Sequence, residues 1–154
     1  MKVFCDTNII IEYLFKRKEA ETIRRIFHYL SRMDVEKVLS CGSFYTLTYL
    51  IENYLKKDGL EKDERISELR RILNGLLLEY HIESGISWKA GIDDIHFNDI
   101  EDSYQYQAAL SSGCDVLLTL NIHDFQHVSP TLLKIYTPVE FLAEYGDNNV
   151  SVQN

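Results

Sequence analysis

The chain has 154 residues, 45% of them hydrophobic, enough for one buried core and too few for two ordinary domains. Sixteen Lys and Arg against 24 Asp and Glu leave a net charge of −8, which excludes a protein that grips nucleic acid through a general basic surface. Two prolines and seven glycines exclude collagen-like and low-complexity tracts. No apolar run approaches the roughly 20 residues of a membrane span, and no leader precedes Val3, so a cytoplasmic protein is expected.

Lys2 to Cys5 reads as a short strand running into Asp6-Thr7-Asn8, and Ile9 to Phe15 as a mostly buried helix. From Glu19 to Met33, the residues Ala20, Ile23, Ile26, Phe27 and Leu30 recur at the period of an amphipathic helix. Val38 to Cys41 forms a second strand, and Ser43 is placed as the N-cap of a helix from Phe44 to Lys57 that Asp58-Gly59 ends. Leu60 to Asn74 is a further helix, Leu76 to Ile82 a third strand, and Ser84 to Gly91 a short helix anchored in the core by Trp88. Asp102 to Ser112 is a helix ended by Gly113, followed by strands at Asp115 to Leu120 and Leu133 to Tyr136. Thr137-Pro138-Val139-Glu140 combines a capping box with proline at the first helical position, which starts a helix running through Glu144. Strands alternating with helices predict a three-layer α/β/α sandwich around a mainly parallel sheet. It is expected to occupy residues 1–146 as one domain, with 147–154 a polar, frayed tail. The odd, widely spaced Cys5, Cys41 and Cys114 read as buried reduced thiols.

In such a sheet, ligands bind beyond the carboxyl ends of the strands, where strand order reverses. Asp6 ends the first strand, Asn121 and Asp124 follow the Val116–Leu120 strand, and Asp102, flanked by Glu101 and Asp99, opens the helix before it. Taken singly, each has a plain structural role as helix cap or loop former. Together they deliver hard oxygen donors to one sheet edge, a donor set suited to Mg2+ or Mn2+ and to phosphoryl chemistry.

The opening Val3-Phe4-Cys5-Asp6-Thr7-Asn8 resembles the first strand and first acid of PIN-domain ribonucleases. The run Asp99-Ile-Glu101-Asp102 through Gln105 and Ala108-Ala109, then Gly113 and Asp115 to Asp124-Phe125, resembles their second signature. The order and spacing match from residue 3 to residue 142, closest to the VapC-like subgroup, toxins of bacterial toxin–antitoxin pairs. The resemblance implies a metal-dependent endoribonuclease. It assigns Asp6, Asp102 and Asp124 as metal ligands, with Glu101 as a further candidate, and Asn121 as completing the site. It assigns Thr119 to orienting water or phosphate, and Thr7, Asn8 and Ser43 to the metal loop and its surroundings. It also implies Mg2+ or Mn2+ as cofactor, an RNA substrate, a homodimer and a small antitoxin partner with a basic tail. One position departs from the family. A glutamate often stands six residues after the serine that opens the third helix, and counting from Ser43 reaches Tyr49. Glu52, Glu101 and Asp99 are the acids available to replace it, and the alternative reading is a catalytically weak PIN-fold module that binds RNA or protein.

His123 and His127, four apart beside Pro130, lack the further ligands of a zinc site, and no Walker A, dinucleotide-binding or nucleophile-elbow motif is present. Tyr45, Tyr49, Tyr104 and Tyr106 read as core or dimer contacts rather than base-stacking platforms. Between Lys16 and Arg32, six basic residues face two acids; this segment is either a phosphate-tracking face beside Asp6 or a solvated helix surface.

Overall fold

The computed structural model describes residues 1–146. The chain runs β1 (Lys2–Cys5), α1 (Thr7–Leu14), α2 (Ala20–Arg32), β2 (Glu36–Ser40), α3 (Cys41–Lys57), α4 (Lys62–Glu79) and β3 (His81–Glu83). It continues with α5 (Trp88–Asp93), α6 (Ile100–Ser111), β4 (Val116–Leu118), a 3-10 turn (Ile122–Phe125), β5 (Lys134–Tyr136) and α7 (Pro138–Phe141), which widens into a π-type turn at Leu142–Gly146. The five strands are ordered β3-β2-β1-β4-β5 and every pairing is parallel. Val3 pairs with Lys37 on one side and Val116 on the other. The chain moves outward from β1 through β2 and β3, then returns to add β4 and β5 on the opposite flank. The order therefore reverses between β1 and β4, where Asp6 N–H donates to the Leu118 carbonyl at 3.0 Å.

A parallel sheet is covered on both faces, and strand alternation divides its side chains between two cores. Val3, Cys5, Leu39, Val116 and Leu118 pack with Ile9, Ile10, Ile23, Ile26, Leu47 and Phe141, so α1, α2, α3, α4 and α7 form one layer. Phe4, Val38 and Leu117 pack with Tyr106, Ala108, Ala109, Phe97 and Phe125, so α5 and α6 form the other. This is the expected α/β/α arrangement. Gly113 ends α6 at φ +65°, a left-handed conformation that glycine adopts without strain, and lets Cys114 N–H reach the Ala109 carbonyl at 2.9 Å.

Several boundaries differ from expectation for identifiable reasons. The leucine run at 76–78 is helical: Leu76 is buried while Leu77 and Leu78 are exposed, a helical rather than a strand pattern, and the edge strand is only His81–Glu83. α3 is capped by Ser40, whose Oγ accepts from Ser43 N–H at 2.9 Å, so the helix begins at Cys41 and Ser43 lies in its first turn. β2 accordingly stops at Ser40. The short helix expected at Ser84–Gly91 is α5, capped by Ser87. Trp88 is 46% exposed there, with its edge against Tyr104, while Ile86 and Phe97 fill the core. Tyr45 and Tyr49 project outward, whereas Tyr106 is buried. The Thr137–Glu140 capping box is present with both reciprocal bonds. Cys5, Cys41 and Cys114 are free thiols, Cys41 only partly covered, and the expected tail at 147–154 lies outside the described residues.

Candidate active site

The switch point between β1 and β4 opens into a cleft of about 280 Å³ lined by Asp6, Thr7, Asn8, Glu12, Arg17, Thr46, Asp99, Glu101, Asp102 and Asn121 with apolar Ile11, Leu50 and Leu120. Its floor is a hydrogen-bonded lattice spanning the switch point. Asp6 Oδ2 accepts from the Thr119 hydroxyl at 2.7 Å and from Asn8 Nδ2 at 2.8 Å. Asn8 Oδ1 accepts from Leu120 N–H at 3.1 Å, which clamps the start of α1 to the end of β4. Thr119 Oγ1 in turn accepts from Asn121 N–H at 3.0 Å and sits 3.3 Å from Asn8 Nδ2. Thr119 is fully buried, and its only proton is committed to Asp6. The expectation that it orients water or phosphate is therefore corrected: it positions Asp6.

Beneath the cleft, a second lattice joins three helices. Thr7 Oγ1 donates to Ser43 Oγ at 2.9 Å, and Gln105 Nε2 donates to Ser43 Oγ at 2.7 Å and to Thr7 Oγ1 at 3.2 Å. Ser40 Oγ donates to Gln105 Oε1 at 3.0 Å. Ser43 is completely buried, so it braces the loop rather than meeting a substrate. Gln105, given no role from residue patterns, is the hub that ties α6 to α1 and α3; an amide followed on its helix face by Ala108 and Ala109 was the available signal.

Asp6 and Asp102 are held out of water. Burial pushes the Asp6 carboxyl up from 3.8 to about 6, repulsion from Glu101 adds to this, and the Thr119 hydroxyl opposes it. Asp102, in the first turn of α6, is pushed from 3.8 to about 7 by burial and then by repulsion from Asp6, Asp99 and Asp124. Asp124, on the 3-10 turn, is close enough to Asp102 to add to the upward push on its carboxyl. Asp99 caps α6 by accepting from Glu101 N–H at 2.8 Å, and Glu101 faces the cleft from an exposed position. Asp6, Asp102, Asp124, Asn121 and Glu101 are thus brought to one end of the sheet, as predicted. Among the described residues, no group of three or more carboxylates, imidazoles or thiols is arranged to hold a metal ion by itself. The donor set still suits a hard divalent cation that retains several waters and takes one or two carboxylates: Asp6 and Asp102 ionise reluctantly, and a cation would relieve both.

The acid expected on the third helix is absent, and its position is corrected. Because Ser40 opens α3, the sixth residue after it is Thr46, which lines the cleft, whereas Tyr49 is 66% exposed. Glu52 points away, with Oε1 3.7 Å from Arg65 Nε on α4. Glu12 is the acid not foreseen: it lines the cleft, is buried, and its Oε1 accepts from Glu19 N–H at 2.8 Å. A glutamate inside the apolar run from Ile9 to Phe15 was its only sequence signal. His127 stacks on His96 with ring centroids 5.6 Å apart, and no zinc cluster surrounds it among the described residues.

Fold and site together define a three-layer α/β/α protein with a carboxylate-lined cleft at its switch point. The chain belongs to the PIN-domain family, whose model matches residues 2–123. It is 26% identical over 152 residues to "Ribonuclease VapC1" of Aquifex aeolicus (strain VF5), an alignment covering 94% of this chain and 96% of that protein. It also shares its fold with a chain in the crystal structure of VapBC2 from Rickettsia felis bound to a DNA fragment from their promoter, at TM-score 0.64 and 15% identity, over 89% of this chain and 98% of that one. Among the described residues, no helix is long and apolar enough to cross a membrane.

Proposed function

We propose that this protein is an endoribonuclease of the VapC-like kind, hydrolysing RNA phosphodiester bonds with Mg2+ or Mn2+ at the switch-point cleft. The observation that carries this reading is the meeting of Asp6 and Asp102, 96 positions apart in the chain, as buried, mutually repelling carboxylates lining one cleft. Family membership and the similarity to a VapC ribonuclease support it. Asp6, Asp102 and Asp124 would hold the cation directly or through water, Asn121 would complete the site, and Glu101 is the nearest further ligand. A divalent cation bound there supplies charge neutralisation at the phosphate and activation of a water.

The chain's own part is positioning. Thr119 and Asn8 fix the Asp6 Oδ2 oxygen by two hydrogen bonds. Asp102 lines the cleft together with Asp6, and burial of the floor limits competition from bulk water. A small antitoxin partner belongs to the same reading, in keeping with the fold shared with a chain of the VapBC2 complex, and a homodimer belongs to it as the family resemblance implies. The test is cleavage of RNA by purified protein with Mn2+, with EDTA, and in Asp6→Asn. Metal-dependent cleavage that vanishes in the variant is expected, and cleavage that survives Asp6→Asn would overturn the assignment.

A further inference from the structure

Arg17 is the single cation among the residues lining the acidic cleft, and it also lines a second cavity of about 560 Å³ between α1 and α2. That second cavity is lined by Lys16, Lys18, Arg24 and Glu21 with apolar Tyr13, Leu14 and Ala20. Its charge balance, four cations with Arg17 against one carboxylate, is opposite to that of the cleft beside it. Arg24 is occupied by Glu21, with Nη2 2.6 Å from Oε1. Arg17 is different: with five carboxylates lining the adjoining cleft, it makes no ion pair within 4.0 Å among the described residues.

The loop holds it in that position. Arg17 N–H donates to the Glu12 carbonyl at 3.0 Å, and the Glu12 side chain accepts from Glu19 N–H at 2.8 Å, so one buried residue fixes both ends of the turn. Lys16 sits at φ +50°, a left-handed conformation that costs a non-glycine residue about 1 kcal/mol and persists only where neighbouring bonds enforce it. The Arg17 guanidinium lies 5.5 Å from the Phe15 ring centroid, and Phe15 stacks on Tyr54 at 3.9 Å. A guanidinium held over an acidic cleft yet unpaired retains its five donors for an anion that spans both cavities.

We infer that Arg17 joins the cleft to a phosphate track for single-stranded RNA, gripping the phosphate next to the scissile one and passing the backbone into the Lys16–Lys18 cavity. This rests on the nuclease reading and adds the path of the substrate. An RNA strand is favoured over an acidic peptide because Arg17 lines both the basic cavity and the carboxylate-lined cleft that the nuclease reading gives to a phosphodiester.

The experiment uses the full chain in an Asp6→Asn background with Mg2+ present, and follows fluorescence anisotropy of a labelled single-stranded oligouridylate across a salt series. Arg17→Ala is expected to weaken binding about fivefold to tenfold and to lower the salt slope by about one contact. Arg17→Lys restores part of the affinity, and Lys16→Ala with Lys18→Ala adds a further loss. Melting temperatures stay within those of the parent. Equal affinity and slope in Arg17→Ala overturn the track, whatever the cleavage assay gives. Binding of poly-glutamate that depends on Arg17, with RNA binding unchanged, overturns it in favour of protein docking. Loss of the nuclease reading is seen separately, as absence of cleavage by the parent protein.

Discussion

Thr119 Oγ1 lies 2.7 Å from Asp6 Oδ2, a hydrogen bond between two buried groups 113 positions apart in the chain. It is one of the two bonds that fix the carboxylate nearest the switch point, and the Thr119 hydroxyl has no second proton to give. Thr119→Val keeps the shape and removes the donor, leaving Asp6 Oδ2 with Asn8 alone and Asn121 N–H without its acceptor. A loss of about 1–3 kcal/mol in stability is expected, measured by urea denaturation, with cleavage slowed about tenfold or more. Thr119→Ser restores both.

The pH dependence of stability carries a defined sign. Asp6 titrates near 6 and Asp102 near 7 in the folded protein, against 3.8 when unfolded. Between about pH 4 and pH 7 the folded state therefore holds more protons than the unfolded one, and stability from these two groups falls as pH rises. Relative to Asp6→Asn, the metal-free parent loses stability across that window, on the order of 3 kcal/mol for the deeply buried Asp6. Mg2+ or Mn2+ reverses the loss at neutral pH. Denaturation midpoints of the two proteins in EDTA and in metal, at pH values spanning the window, check both statements.

Thr46 occupies the cleft wall where the family's third-helix glutamate is expected. Thr46→Glu supplies the missing carboxylate, and binding of Mn2+ measured by calorimetry is expected to tighten about tenfold, or about 1.4 kcal/mol. The same variant is less stable than the parent without metal at neutral pH, because a further negative charge joins Asp6 and Asp102. Tyr49→Glu, by contrast, leaves metal affinity unchanged, since position 49 faces solvent.

Gln105 bonds three hydroxyl-bearing residues: Thr7 on α1, Ser40 at the end of β2 and Ser43 on α3. Gln105→Leu has similar volume and leaves Ser40, Ser43 and Thr7 short of partners in a buried setting, for a cost of about 2–4 kcal/mol. A fall in thermal midpoint together with weaker metal binding is expected, because Thr7 and Asp6 share the same turn.

What local sequence could reveal depended on how local the cause is. β1 and β4 are short apolar runs, and the Thr137–Glu140 capping box is a four-residue signal, so these elements were legible. The start of α3 was not: Ser40 and Ser43 are both competent caps, and only the end of β2's pairing with β3 decides between them. That displacement moved the expected acid position from Thr46 to Tyr49. The leucines at 76–78 carry no strand or helix preference that a run of one residue type can express. At the site, Asp6, Asp102, Asn121 and Asp124 were legible because strand ends in a parallel sheet converge. Gln105, Glu12 and Arg17 act through contacts made only after α1, α3 and α6 are packed, and no spacing encodes them.

The pairing of β1 with β4 also dictates when the cleft comes into being. Everything up to Ser111 can form its helices, and β1, β2 and β3 can pair, while the cleft still lacks the wall that carries Thr119, Asn121 and Asp124. The cleft therefore depends on a pairing between segments more than a hundred positions apart, Val3 with Val116. A chain cut before Thr119 lacks the donor that fixes Asp6, and with it the floor of the cleft.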